Sequence, residues 1–226
     1  MDRPDSDQHG RDQYDRVYAG TYECVARFGL AKTTVDDIAR ASGVSRATVY
    51  RLFPGGRDQI VRETVGWEMN RFFTRLAAAV EDGPDLETRL ELALVFARRS
   101  LLEHEVLQKV LATEPDALLP LMTIEQHRVL RYITAYVAPL LEAERVAGRL
   151  RDGVDVEVAA DYVARMLLSL IGSPGRWDLG DPAAVRDLVG RELLGGILRR
   201  PVGAGPVPSP DLDPRPRPPS STRGNE

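Results

Sequence analysis

Residues 33–60 read TTVDDIARASGVSRATVYRLFPGGRDQI, and the spacing within this stretch decides the fold. Thr34 is a side-chain acceptor just before an apolar-periodic run, with Asp37 three residues later. That is the capping-box arrangement, which satisfies orphan amides at a helix start, and it predicts a short helix over 35–42. Gly43 then supplies a residue that enters the left-handed conformation without a Cβ penalty, and Ser45 is placed to cap a second helix over 46–53. Two helices joined by about three residues cross steeply. Such a crossing requires a small residue in the first helix, a glycine at the corner and a branched apolar residue in the second. Ala39, Gly43 and Val49 stand at those spacings, so the stretch is read as a helix-turn-helix.

The second helix of this motif lies in the major groove of DNA with its N-terminal residues facing base edges. Ser45, Arg46, Ala47 and Thr48 are therefore the candidate readers. Arg46 offers a bidentate fork to guanine, Thr48 a hydroxyl or a methyl, and Ala47 an apolar contact to a thymine methyl. Tyr50 and Arg51 lie one turn on and suit phosphate, as do Thr34 with the amides of its helix start and, beyond the second helix, Arg57. Each of these residues also suits a solvated helix face.

Together the residues carry a family resemblance. Over about 13–65 the chain resembles the DNA-binding domain of the TetR family of bacterial transcriptional repressors. The match includes an amphipathic helix ending in Arg27-Phe28-Gly29, the TTVDDIA opening, the SGVS corner, a T-x-Y-x-x-F-P run from Thr48 to Pro54, and an acidic residue before an apolar one at Asp58 to Ile60. Two features depart from the family pattern. Leu52 stands where histidine or tyrosine is usual, and Gly55-Gly56-Arg57-Asp58 is one residue longer than the common serine-lysine-glutamate form, so Arg57 matches the family lysine only across that insertion. The resemblance implies a homodimer on a near-palindromic double-stranded DNA operator, released when a small molecule of unknown identity binds between the body helices. An alternative rests on the two departures: a degenerate member that binds small molecules or protein without specific DNA readout.

Length and charge suit a small basic module on a larger body. The chain has 226 residues, 43% of them hydrophobic, and a net charge of -4. Residues 11–75 carry 11 Lys/Arg against 8 Asp/Glu, whereas 76–226 carry 18 against 23. The DNA-facing surface, not the total, sets an electrostatic footprint. We expect a flexible N-terminus over 1–12, a DNA-binding domain over 13–56, a helical ligand-binding and dimerisation domain over 57–199, and a disordered tail over 200–226. That tail holds half of the 16 prolines and little that burial would order.

Tyr14, Val17, Tyr18, Thr21, Cys24, Val25 and Phe28 recur at steps of three and four and predict an opening helix with one buried face. A long helix over 57–80 leads into the body. Further helices are expected over 86–103, 105–113, about 119–147, 156–171 and 182–198, with no alternating strand. The fold class is all-α. Cys24 is the lone cysteine and falls on the apolar stripe, so it is read as core. No apolar run is long enough to span a membrane and no signal-peptide core precedes the first helix, so a cytoplasmic protein is expected.

Trp67, Phe72, His104, His127, Tyr132 and Tyr136 are bulky or polar groups on body helices that suit a ligand cavity, and equally suit core or surface. Tyr162, Met166, Leu170, Leu194 and Ile197 belong to the last two helices, whose apolar surface exceeds what a small body covers. They suit a dimer interface or ordinary core, and in the resembling family these helices do form the dimer. Neither histidine has a glutamate three residues before it, and there is no phosphate loop, nucleophile elbow or His-Glu-x-x-His. No enzyme activity, metal or cofactor is expected.

Overall fold

A computed structural model describes residues 4–199, and these are all-α apart from one isolated antiparallel bridge between Leu150 and Leu198. Helix α1 (Pro4–Phe28) packs on α2 (Val35–Ser42), which leads through a short corner into α3 (Arg46–Leu52), and α4 (Gly56–Val80), also packed on α1, leaves this module for the body. The body comprises α5 (Leu86–Glu103), α6 (Glu105–Thr113), α7 (Pro115–Val146), α8 (Val156–Gly172) and α9 (Pro182–Asp187). No helix among the described residues is long and apolar enough to cross a membrane.

Three expectations change here. Residues 4–12, read as flexible, are helical: Pro4 occupies a first-turn position where its missing N–H costs nothing, and polar residues extend an already nucleated helix at small cost. Helix α7 starts at Pro115, not near Leu119, because that proline opens the helix instead of breaking it. The helix expected over 182–198 stays α-helical only to Asp187, widens to π geometry over Leu188–Leu193, and then unwinds. The Leu194 N–H reaches back five residues to the Val189 carbonyl, and a Cβ on Gly195 would lie 2.2 Å from the Arg191 carbonyl oxygen. The wide turn buries both Leu193 and Leu194, and the unwound end pairs with the α7–α8 loop through Arg151 N–H to the Ile197 carbonyl. The proline-rich segment 200–226 lies outside the described residues.

The module has its own core of Val17, Cys24, Ile38, Val44, Val49, Phe53 and Ile60. A larger core fills the body, centred on Leu90, Leu94, Val137, Leu141, Val163 and Val189. Between them a small cluster of Leu30, Val61, Val110 and Leu118 forms the joint. Phe28, expected on the buried face of α1, is instead exposed under the Arg27 guanidinium.

Candidate nucleic-acid interface and an internal cavity

The helix-turn-helix is held by local caps. Thr34 Oγ1 accepts from the Asp37 N–H at 3.2 Å, and Asp37 Oδ2 accepts in return from the Thr34 N–H and hydroxyl at 3.2 and 2.6 Å. The Thr34 hydroxyl holds the Asp37 carboxyl below its ordinary range. Gly43 is left-handed (φ 64°), and Ser45 Oγ accepts from the Thr48 N–H at 3.2 Å. Arg16 on α1, which sequence reasoning missed, closes the C-terminal end of α2 by donating to the carbonyls of Ser42 (3.1 Å) and Gly43 (2.9 Å). Gly20 makes the α1–α2 crossing close, since a Cβ there would lie 2.8 Å from the Ser42 nitrogen.

This frame presents Ser45, Arg46, Ala47, Tyr50 and Arg51 on the exposed side of α3, with Thr48 half-buried behind Ser45 and Thr34 exposed at the start of α2. Arg46 is not idle there. Its guanidinium pairs with Asp36 of α2 at 2.8 Å and lies 5.6 Å from the Tyr50 ring centre. A base contact by Arg46 must therefore displace a carboxylate. Arg57 is a correction. Its guanidinium donates to the carbonyls of Thr33 (2.8 Å) and Leu30 and to Asp58 (2.9 Å), so it braces the α1–α2 loop instead of projecting toward phosphate. The reason is local: the first turn of α4 passes beside carbonyls of the α1–α2 loop, which lie outside either helix. Leu52 packs half-buried against the module core.

The same loop and the end of α1 are gripped from the body. Glu114, the residue before α7, accepts from the N–H groups of Leu30 (3.0 Å) and Ala31 (2.5 Å), while Lys109 on α6 donates to the Ala26 carbonyl at 2.6 Å. Carboxylate on amides and ammonium on carbonyls place the charges as the polarity of each group requires. Sequence spacing carries no signal for these contacts.

Beside the joint lies a cavity of about 510 Å³, within the range of small-molecule sites. Its wall is overwhelmingly apolar, with Val61, Met69, Phe72, Phe73 and Leu76 from α4, Ile133 and Val137 from α7, and Leu167, Leu168 and Ile171 from α8. Thr21, Tyr22 and Val25 of α1 complete it, so the N-terminal module forms part of the wall. Of the residues expected to line a cavity, Phe72, His104, Tyr132 and Tyr136 do. Trp67 and His127 do not. The Trp67 indole donates to Asp15 at 3.1 Å and lies under Arg71, tying α4 to α1, and His127 sits exposed on α7.

The five residues expected at a dimer interface divide. Leu170, Leu194 and Ile197 are buried within the chain's own core, Met166 is half-buried against it, and Tyr162 is 42% exposed. Cys24 is buried, which pushes its thiol pKa up.

Comparison with known proteins agrees with this architecture. The family model for bacterial regulatory proteins of the tetR family matches residues 17–64. An uncharacterized HTH-type transcriptional regulator of Mycobacterium tuberculosis is 26% identical over 175 residues, covering 77% of this chain and 82% of its own. Among solved structures, one from Mesorhizobium loti described as a TetR-family transcriptional regulator covers 84% of this chain and 98% of its own, at a TM-score of 0.61 and 15% identity. SmeT, the repressor of the Stenotrophomonas maltophilia multidrug efflux pump SmeDEF, covers 88% of this chain and 100% of its own, at a TM-score of 0.54 and 22% identity. A SmeT-triclosan complex matches at a TM-score of 0.53 and 21% identity, covering 88% and 99%.

Proposed function

The chain belongs to the TetR family of bacterial transcriptional regulators, and from that premise we propose that it is a ligand-released repressor, a cytoplasmic homodimer on a near-palindromic operator. The observation that carries the reading is the α3 surface. Arg46, Ala47, Tyr50 and Arg51 are exposed together on a helix whose opposite side, through Val49 and the following Phe53, is fully buried. Such a helix keeps its orientation as it enters a groove. Ser45 to Thr48 face base edges, while Tyr50, Arg51 and the α2 start at Thr34 meet the backbone. Dimerisation supplies a second recognition helix about 34–36 Å away, one turn of DNA. The exposed Val158 and Tyr162, four residues apart on α8, are the free apolar positions on which a partner copy would seat. SmeT is a repressor solved in complex with triclosan, and the cavity here supports a reading in which a small molecule binds this chain and releases DNA.

Selection of bound sequences from a random DNA pool, followed by salt titration of the best site against a scrambled one, tests the reading. A two-fold-related pair of half-sites is expected, and Arg46→Ala weakens the selected site by about 1–3 kcal/mol and relaxes preference at one position per half-site. Equal, salt-sensitive binding to both DNAs would leave only electrostatic attraction and sink the repressor assignment.

A further inference from the structure

The cavity wall crosses from the DNA-binding module to the body, and its polar groups are unequally used. The Thr21 hydroxyl donates to the Val17 carbonyl at 2.7 Å, the Thr64 hydroxyl to the Ile60 carbonyl at 2.8 Å, and Glu68 accepts from Arg71 at 2.9 Å. Tyr22 and His104 differ in that their rings touch across the boundary between module and body. The His104 Nδ1 accepts from the Leu107 N–H at 3.1 Å and caps α6, which assigns the ring proton to Nε2 and makes that nitrogen a donor. Neither this Nε2 nor the Tyr22 hydroxyl has a hydrogen-bond partner among the described residues. The two rings meet edge to face with centres 6.0 Å apart, so both belong to one stretch of the cavity wall. Tyr22 belongs to α1 of the module, and His104 to the α5–α6 corner of the body.

We propose that the effector is a neutral, largely apolar compound with one hydrogen-bond acceptor, such as a carbonyl oxygen, shared by Tyr22 and His104 across the boundary between module and body. Neutrality follows from the overwhelmingly apolar walls: of the two charged lining residues, Glu68 is paired with Arg71 and Arg75 is exposed to solvent. Burying an unpaired ion against apolar walls is strongly unfavourable. Burial, the largest influence on the phenol, raises its pKa and keeps it a donor. An acceptor gripped from both sides fixes α1 relative to the body, so Tyr22 both binds the effector and transmits its presence.

This inference rests on the repressor reading for its regulatory consequence but not for binding, and calorimetry on the full chain separates the two. The probes are methyl octyl ketone, decanoate and decyltrimethylammonium. The ketone is expected to bind at least about tenfold tighter than either ion. Tyr22→Phe and His104→Asn, the latter retaining an acceptor for the Leu107 N–H, each weaken the ketone about fivefold, and the double variant by less than the product because both donors serve one acceptor. The ratio of operator affinity without and with ketone falls toward one in Tyr22→Phe. Tighter binding of decanoate, abolished by Arg75→Ala, would overturn the neutral class. Ketone binding unchanged in Tyr22→Phe, or no ketone binding at all, would overturn the shared acceptor. If DNA selection finds no specific site, the calorimetric comparisons still decide the ligand chemistry.

Discussion

The DNA-binding module and the body bury their apolar residues to different degrees of completeness. In the module, Val17, Ile38, Val49, Phe53 and Ile60 are all fully buried, the Tyr14 and Tyr18 rings pack edge-on against Phe53 at 5.1 and 5.8 Å, and each helix end at the corner has a cap. The body has many more buried residues yet leaves a 510 Å³ cavity beside them, with lining atoms deprived of neighbours. A groove-entering helix requires fixed geometry, whereas a region that answers to a ligand requires space. The joint at Leu30, Val61, Val110 and Leu118 connects the two.

If this contrast is right, the largest effect comes from opening a hole in the filled unit. Phe53→Ala is expected to cost about 3–5 kcal/mol in urea unfolding and to abolish specific DNA binding. A loss below about 1 kcal/mol would mean that the module is not packed as described.

Glycines sharpen the comparison next. Gly43→Ala places a side chain at φ 64° with its Cβ 2.7 Å from the Arg16 guanidinium, and about 1–2 kcal/mol of destabilisation is expected, plus the cost of moving Arg16. Gly196→Ala, at the unwound end of the body, meets nothing within 4 Å and needs no left-handed backbone. Its effect on thermal unfolding lies between zero and about 1 kcal/mol of stabilisation. Equal losses at both sites would erase the distinction between a conformationally demanding corner and a permissive terminus.

A smaller effect concerns recognition. Asp36→Asn removes the carboxylate that holds Arg46, and operator affinity should rise by up to about 1 kcal/mol at low salt, with the gain shrinking as salt is added. Unchanged affinity would mean that the pair does not compete with DNA.

The smallest is a pH effect at the exposed α2 cap. The Asp37 carboxyl pKa is lowered in the folded state by the Thr34 hydroxyl, so its contribution is present above the unfolded value of about 3.9 and is lost as pH falls through the folded one. Unfolding curves of the wild type and Thr34→Ala, taken downward from neutral pH, should therefore converge at the acid end. Curves that stay parallel would show that Asp37 titrates alike in both states.

Most of this architecture is legible from neighbours in sequence. The capping box at Thr34 and Asp37, the left-handed Gly43 and the Ser45 cap act over four residues or fewer, so their pattern determines α2, the corner and α3 before any long-range contact forms. Periodicity likewise finds α4, α5, α6 and α8. It fails over 182–198, where an apolar run with helical spacing unwinds because the close backbone approach at Gly195 and the bridge to Leu150 outweigh propensity.

Side-chain partnerships follow the same division. Arg46 and Arg57 look alike as surface arginines in the chain, yet one is paired with a carboxylate on the recognition surface and the other braces a loop. Four of the six expected cavity residues, Phe72, His104, Tyr132 and Tyr136, line the wall, whereas Tyr22, which lines it too, is not among the residues the sequence singles out. The sequence by itself determined an all-α chain with a helix-turn-helix, because those signals are local and repeat with the helix turn. Only the tertiary structure decided the cavity, the pairing of Arg46 with Asp36 and the grip of Glu114 on Leu30, 84 residues away, because contacts across such separations depend on how helices cross and leave no periodic trace.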